Sequence, residues 1–369
     1  MTEEPLLSAS ETDENNKRRQ KLMLLISSGE AILMAGAGCS GAVYPPWPEF
    51  VVLLNEQVKK FQSDFDENPE DFLTFADKAK EAMGEDPYYH FMYQQFCPKQ
   101  DKLTTDLHTA LCRLPFKAFT TTNYDLLLDT ALRAETGFPD TSVCFDGENK
   151  VKIYEFLSSI NPNSGAPKRV IHLHGKYDIN DSIILGGKEY ASKYGFTIKE
   201  PAVSLFDQIQ AGDITRERFQ ELLVSHGYEW PIRRKILWTL LAARRIVFMG
   251  FSMNDPYFLK MLDFVKVDLS TYEAETHYLV LRITSENKKY ALETATRLKR
   301  EYGIECVFFP DDESFNGLTR FTEGLVNEIV PPVRTKRRPV AEVAEVSMES
   351  NDGDEALTEE LFALTKKQD

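Results

Sequence analysis

The stretch AILMAGAGCSG, from Ala31 to Gly41, runs from an uninterrupted apolar segment into glycines and other small side chains. A short, continuously apolar run bounded by a turn signal reads as a strand covered on both faces, which is how parallel strands are buried. Three later stretches repeat the pattern: FKAFTTTNYD (Phe116 to Asp125), RVIHLHG (Arg169 to Gly175) and RRIVFMGFSMNDP (Arg244 to Pro256). Each strand-like run ends in glycine or in polar residues. In an open parallel sheet, ligands bind beyond the carboxyl ends of the strands, so four such ends predict one shared pocket.

The remaining chain alternates helix and strand. EFVVLLNEQVKKF, LLLDTAL, a helix from Pro256 to Val265, ENKKYALETATRLKREYG and GLTRFTEGLVNEIV carry helical spacing. SVCFD, VKIYEF, SIILGG, THYLVLRIT and IECVFFP read as further strands. The expected architecture is α/β: a Rossmann-like parallel sheet with helical insertions over about 58–115 and 189–241. Residues 1–16, acidic and without periodicity, read as a disordered tail, with the first helix from Lys17 to Ser28. The catalytic domain is expected over 17–330, and 331–369 as linker and tail. EALTEELFALTKK within that tail has the spacing of a short amphipathic helix, read as a frayed end in preference to a docking element.

At 369 residues the chain is long enough for a substantial core. Its net charge of -15 repels phosphate backbones, which argues against direct nucleic-acid binding by this chain alone. No apolar run reaches the length of a bilayer span, and the polar N-terminus has no signal core, so no membrane association and a cytoplasmic location are expected. The five cysteines, Cys39, Cys97, Cys112, Cys144 and Cys306, contain no CxxC pair, which speaks against a four-cysteine zinc site; no metal is expected. Cys39 reads as a small turn residue rather than a nucleophile.

Gly36, Gly38 and Gly41 form GxGxxG after a strand, a pattern that admits a pyrophosphate close to the backbone. Gly36, Ala37, Gly38 and Ser40 are therefore candidate cofactor contacts. No strand bearing a ribose-binding acid follows about 20 residues later, which weakens the case for hydride transfer. Asn123 and Asp125 stand just past a strand end and suit a sugar or a water, although both types are also common turn formers. His172 and His174, two apart on a strand, share a face. His174 beside Gly175 takes the strand-end place of a base, and His172, one step deeper, reads as a core histidine. Gly250 and Ser252 are candidates for close ligand approach. Asp255 before Pro256 fits a helix N-cap and is carried as a further cofactor contact.

Taken in order, these segments resemble the sirtuin-like (Sir-two) superfamily. The likeness runs through Gly36 to Ser40, Thr121 to Asp125, His174 with Gly175, and Gly250 to Ser252, and spans about residues 22–330. It implies a Rossmann-like sheet that binds NAD and breaks the nicotinamide–ribose bond, with Asn123 positioning water or ribose, His174 as base and Asp125 orienting ribose. Deacylases of the superfamily carry a zinc module after His-Gly, where this chain has KYDINDSIILGGKEY, and an Asp-Phe-Arg where it has YPPWPEF. The HLHG, LGGKEY and GFSMNDP set is instead similar to the bacterial anti-phage branch, whose members hydrolyse NAD, and within it to the partner of a HerA-type hexameric ATPase. The expectation is an NAD glycohydrolase restrained by homo-oligomerisation or by such a partner. The alternatives are a zinc-less deacylase or ADP-ribosyltransferase, and a non-enzymatic NAD- or ADP-ribose-binding scaffold.

Overall fold

The computed structural model describes residues 6–99, 102–145, 150–161, 163–196, 215, 230–269, 277–311 and 316–330. Its seven strands are β1 (Ile32–Ala35), β2 (Ala118–Thr121), β3 (Ser142–Val143), β4 (Val170–His172), β5 (Ile246–Met249), β6 (His277–Ile283) and β7 (Ile304–Pro310). All pair in parallel, in the order β3-β4-β2-β1-β5-β6-β7. The chain lays β2 beside β1, sets β3 at the edge with β4 between β3 and β2, then crosses back to lay β5 on the other side of β1. That reversal is the topological switch point at which such sheets open a crevice. The fold is thus α/β, a Rossmann-like parallel sheet flanked by helices.

The helices are α1 (Ala9–Ser27), α2 (Trp47–Lys59), α3 (Phe72–Met83), α4 (Glu85–Phe96), α5 (Asp106–Arg113), α6 (Leu127–Thr136), α7 (Lys150–Ser159), α8 (Gly187–Tyr194), α9 (Ile232–Ala243), α10 (Pro256–Leu269), α11 (Lys288–Tyr302) and α12 (Gly317–Ile329). Strand alternation sorts the core into two layers. Leu33, Phe119, Val247 and Val280 face the layer formed with α1, α5, α6 and α12. Ile32, Ala118, Phe248 and Leu279 face the layer that holds α8 to α11 and the buried side of α7. A third apolar cluster lies among α2, α3 and α4, and it includes Tyr124, Tyr177 and Leu185, which leave β2 and β4. The α2–α4 helices therefore pack against the carboxyl edge of the sheet.

Three elements differ from the sequence reading. The first helix starts at Ala9, not Lys17. Ser8 and Glu11 close a reciprocal capping box, with Ser8 N donating to Glu11 Oε2 at 2.7 Å. Asn15 pairs with both backbone groups of Phe308 on the edge strand β7 (3.0 and 2.8 Å), so the polar residues of this segment find partners in the sheet itself. VKIYEF is helix α7, with Ile153 and Phe156 three apart on its buried side. SIILGG makes no ladder: Ile183 to Leu185 are buried but not in a strand, and Ile184 N donates to His174 O at 2.9 Å. Residues 197–214 and 216–229, between α8 and α9, and the tail from 331 onward lie outside the described residues. Among the described residues no helix is long and apolar enough to cross a membrane.

Candidate functional site

Register places the four motif strands level. Ala35 pairs with Thr121 on one side and Met249 on the other, and Thr121 pairs with His172. Asn123 and His174 each stand two residues beyond that line, past the ends of the adjacent strands β2 and β4. Neighbouring strands lie about 4.8 Å apart, so the motifs meet at one edge.

The AGAGCSG loop turns through a short 3₁₀ helix, Ala37–Cys39. Its amides are mostly spent inside the protein: Gly36 N on Met249 O (3.0 Å), Gly38 N on Gly250 O (2.8 Å), Cys39 N on Gly36 O (2.9 Å) and Ser40 N on Ala37 O (3.0 Å). The glycines serve a backbone-to-backbone contact between the β1 and β5 exits. A Cβ on Gly36 would lie 2.6 Å from Gly250 O, and one on Gly38 2.9 Å from the Gly250 Cα. Gly250 itself has φ 61°. Ala37 and Gly38 remain exposed, as does Ser252 on the β5 side.

Ser40 is only 3% exposed. Its hydroxyl accepts from Asn123 Nδ2 at 3.0 Å and donates to the Asp125 carboxylate. Asn123 Nδ2 also donates to Gly36 O at 3.1 Å. A backbone carbonyl can only accept, so the amide orientation of Asn123 is fixed and its Oδ1 is the atom left for a ligand. Asp125 is buried, and its Oδ1 accepts from Leu127 N at 3.0 Å. Burial pushes its carboxyl above the ordinary value, against the pull of the Leu127 amide and the Ser40 hydroxyl. Ser40 and Asp125 are both buried, and the hydrogen bonds of their side chains run to Asn123, to Leu127 N and to each other.

The two histidines part, because β4 ends at His172 and the chain then turns. His172 is fully buried, with Nδ1 3.1 Å from Asn123 O and Nε2 2.9 Å from Asp129 Oδ2. Burial drives the Asp129 carboxyl up, but His172 outweighs it and holds the carboxyl below its ordinary value. His174 lies instead against α8. Its ring meets Tyr190 edge-on at 5.2 Å, and its Nε2 is 3.4 Å from Asp255 Oδ2. Burial, opposed by Asp255 and aided by Arg233, lowers its pKa to about 4, so it is neutral at pH 7 with one nitrogen lone pair available. The turn depends on Gly175: at φ 89° it lies against Ser182 O, where a Cβ would overlap.

The SIR2-like domain family matches this chain over residues 117–307, more than half its length. The chain belongs to that family. The SIR2-like chain is also 25% identical over 266 residues to the NAD(+) hydrolase ThsA of Enterococcus faecium. That likeness covers 71% of this chain and 45% of the other protein, so the chain spans less than half the length of this relative. The family match begins at β2. In the SIR2-like chain, β1 and its glycine loop nonetheless sit between β2 and β5 in register, as part of the same sheet.

Sequence reasoning on this SIR2-like chain missed the groups that hold the His174 side. Arg233, buried on α9, donates to Leu173 O (2.8 Å) and Ser182 O (2.7 Å) and pins the turn that carries His174. Asp77 of α3 caps α8, accepting from Lys188 N at 3.0 Å; a Cβ on Gly186 would overlap its carboxylate, and one on Gly187 would press on it at 3.3 Å. Glu189 folds back on Leu185 N at 2.7 Å and pairs with Lys80 of α3 at 3.0 Å. The glycine pair in LGGKEY was the legible trace of Asp77, but nothing local named the partner. Among the described residues no three His, Cys, Asp or Glu side chains are grouped to hold a metal.

Proposed function

We propose that this chain is an NAD glycohydrolase that cleaves the nicotinamide–ribose bond and so depletes NAD in anti-phage defence. The observation that carries the reading is the level register of four strand ends, which sets Asn123 and His174 just past the ends of the adjacent strands β2 and β4, on the same sheet edge as the β1/β5 switch point. The likeness to an NAD(+) hydrolase supports the substrate.

In the proposed reaction the C1′–N bond breaks and its electron pair leaves with nicotinamide. Water attacks the oxocarbenium-like C1′, forming the C–O bond, and its proton passes to His174. A water bonding to such a carbon becomes strongly acidic, so a neutral imidazole of low basicity suffices. Asn123 Oδ1 accepts from that water or from a ribose hydroxyl, while Ser40 and Asp125 hold the amide. Ala37, Gly38 and Ser252 form the exposed wall for the rest of NAD. Restraint by assembly, into a homo-oligomer or with a HerA-type ATPase, rests on the motif resemblance alone.

Purified chain incubated with NAD is expected to release nicotinamide, and Asn123→Ala and His174→Ala to abolish the release. Full activity in both variants would sink the assignment. A separated monomer as active as any assembly would remove the proposed restraint.

A further inference from the structure

Asp255 uses its two carboxylate oxygens differently. Oδ1 caps α10, accepting from Tyr257 N at 2.9 Å and Phe258 N at 3.0 Å. Oδ2 accepts from the Tyr190 hydroxyl at 2.8 Å and faces His174 Nε2 at 3.4 Å. A helix cap needs only the first oxygen. Tyr190 is fixed in turn, stacked on Tyr257 with centroids 4.4 Å apart and planes 13° from parallel. Burial and Asp255 keep its hydroxyl protonated, raising its pKa well above the ordinary value, so it remains a donor to Asp255.

An ionised carboxylate only accepts, so it favours a hydrogen on the ring nitrogen it faces, while the Tyr190 oxygen lies about equally near both nitrogens, 3.4 Å from Nε2 and 3.5 Å from Nδ1. We propose that Asp255 is a positioning residue that holds His174 as the Nε2–H tautomer, leaving Nδ1 to take the proton, while Tyr190 holds Asp255 in place. The tautomer is inferred from the Asp255 contact; its part in a reaction rests on the NAD-hydrolase reading. In that reaction the water O–H bond breaks, the proton joins Nδ1, and the electron pair stays on oxygen as it bonds C1′. The imidazolium that forms lies beside the Asp255 carboxylate. The charged or titratable groups facing His174 are Asp255 from the β5 exit, Tyr190 and Tyr194 from α8, and Arg233 from α9.

Asp255→Asn tests this directly, because asparagine caps a helix as well as aspartate. Its amide N–H then faces Nε2 and favours the opposite tautomer. The expected result is a kcat lower by about 10² to 10⁴-fold with KM little changed. The ¹⁵N shifts of the His174 ring should move from Nε2–H to Nδ1–H. The acid limb of kcat/KM should move to lower pH, since a charge that favours imidazolium is gone. Tyr190→Phe keeps the stack and the tautomer and should cost about tenfold in kcat. Should Asp255→Asn not fold, Asp255→Ser retains a capping hydroxyl, lacks the second oxygen, and should lose kcat likewise. Nδ1–H in the wild-type protein, or an unchanged tautomer and kcat in Asp255→Asn, would overturn the proposal. Wild-type protein that releases no nicotinamide but shows the tautomer exchange would overturn the reaction and leave the positioning role standing.

Discussion

At the exits of β1 and β5 the glycine loops press main chain against main chain, and the loop amides are used on neighbouring carbonyls. Asn123, at the exit of β2, is oriented by one of those carbonyls and by Ser40. His174, beyond β4, is held by side chains that come from far along the sequence: Tyr190, Asp255 and Arg233. The α8 helix that carries Tyr190 is tied in turn to α3 through Asp77 and Lys80. One side of the site is therefore as rigid as the sheet. The other inherits its geometry from packing and from ion pairs with the α2–α4 helices, which gives it the means to respond to anything that moves them.

Acid should separate the two sides most. Burial lowers the pKa values of His108, His174 and His277 from 6.5 to about 4 each. The unfolded chain therefore takes up protons first as pH falls, and the stability present above about pH 6.5 is lost progressively toward pH 4. The loss is about 3 kcal/mol per histidine at most. Melting temperature measured from pH 7 to 4 should fall steeply across that window. Of the three, His174 alone lies at the edge. Amide exchange over Leu173 to Ile184 should thus quicken with acid before exchange over Gly36 to Ser40, and simultaneous loss would erase the contrast.

The next largest effect is expected on the rigid side. Gly36→Ala puts a methyl against backbone that no rotamer change relieves, for about 3 kcal/mol or more in denaturant unfolding. Gly41→Ala, whose nearest contact would be 4.0 Å away, should stay within about 0.5 kcal/mol. Equal effects would mean that the loops are not locked as described.

Ser40→Ala should cost about 1–2 kcal/mol of stability by leaving the Asn123 amide and the Asp125 carboxylate short of a partner. It should also lower nicotinamide release by about 10²-fold, because the Asn123 oxygen is no longer fixed. Unchanged turnover would show that Asn123 is held without Ser40. The smallest effect belongs to the tie between α3 and α8. Asp77→Ala removes the cap of α8 for about 1 kcal/mol or less. Its signature is local: faster exchange over Gly187 to Tyr194 and a modest fall in turnover, with no change over Gly36 to Ser40.

The strands were legible because a strand buried on both faces is largely apolar, and AILMA and IVFM are so throughout, with VIHL broken only by His172. VKIYEF misled because a short apolar run does not distinguish a strand from a buried helix turn. The first two turns of α1, before Lys17, were missed through their acidic composition, although Ser8 and Glu11 stand at capping-box spacing. The pairing of His172 with His174 on one face assumed a strand that in fact stops between them. Asp255 was legible as a cap from Pro256, but its second oxygen was not, since Tyr190 lies 65 residues away.

By itself the sequence determined the parallel α/β sheet and the four strand ends where chemistry gathers, because burial patterning and glycine punctuation are local signals. Only the tertiary structure decided which polar groups face a ligand and which hold others in place. Ser40 and Asp125 turned inward, and Tyr190, Arg233 and Asp77 joined the groups that hold the site. Hydrogen-bond satisfaction of buried groups depends on partners distant in sequence, and those partners exist only once the chain has folded.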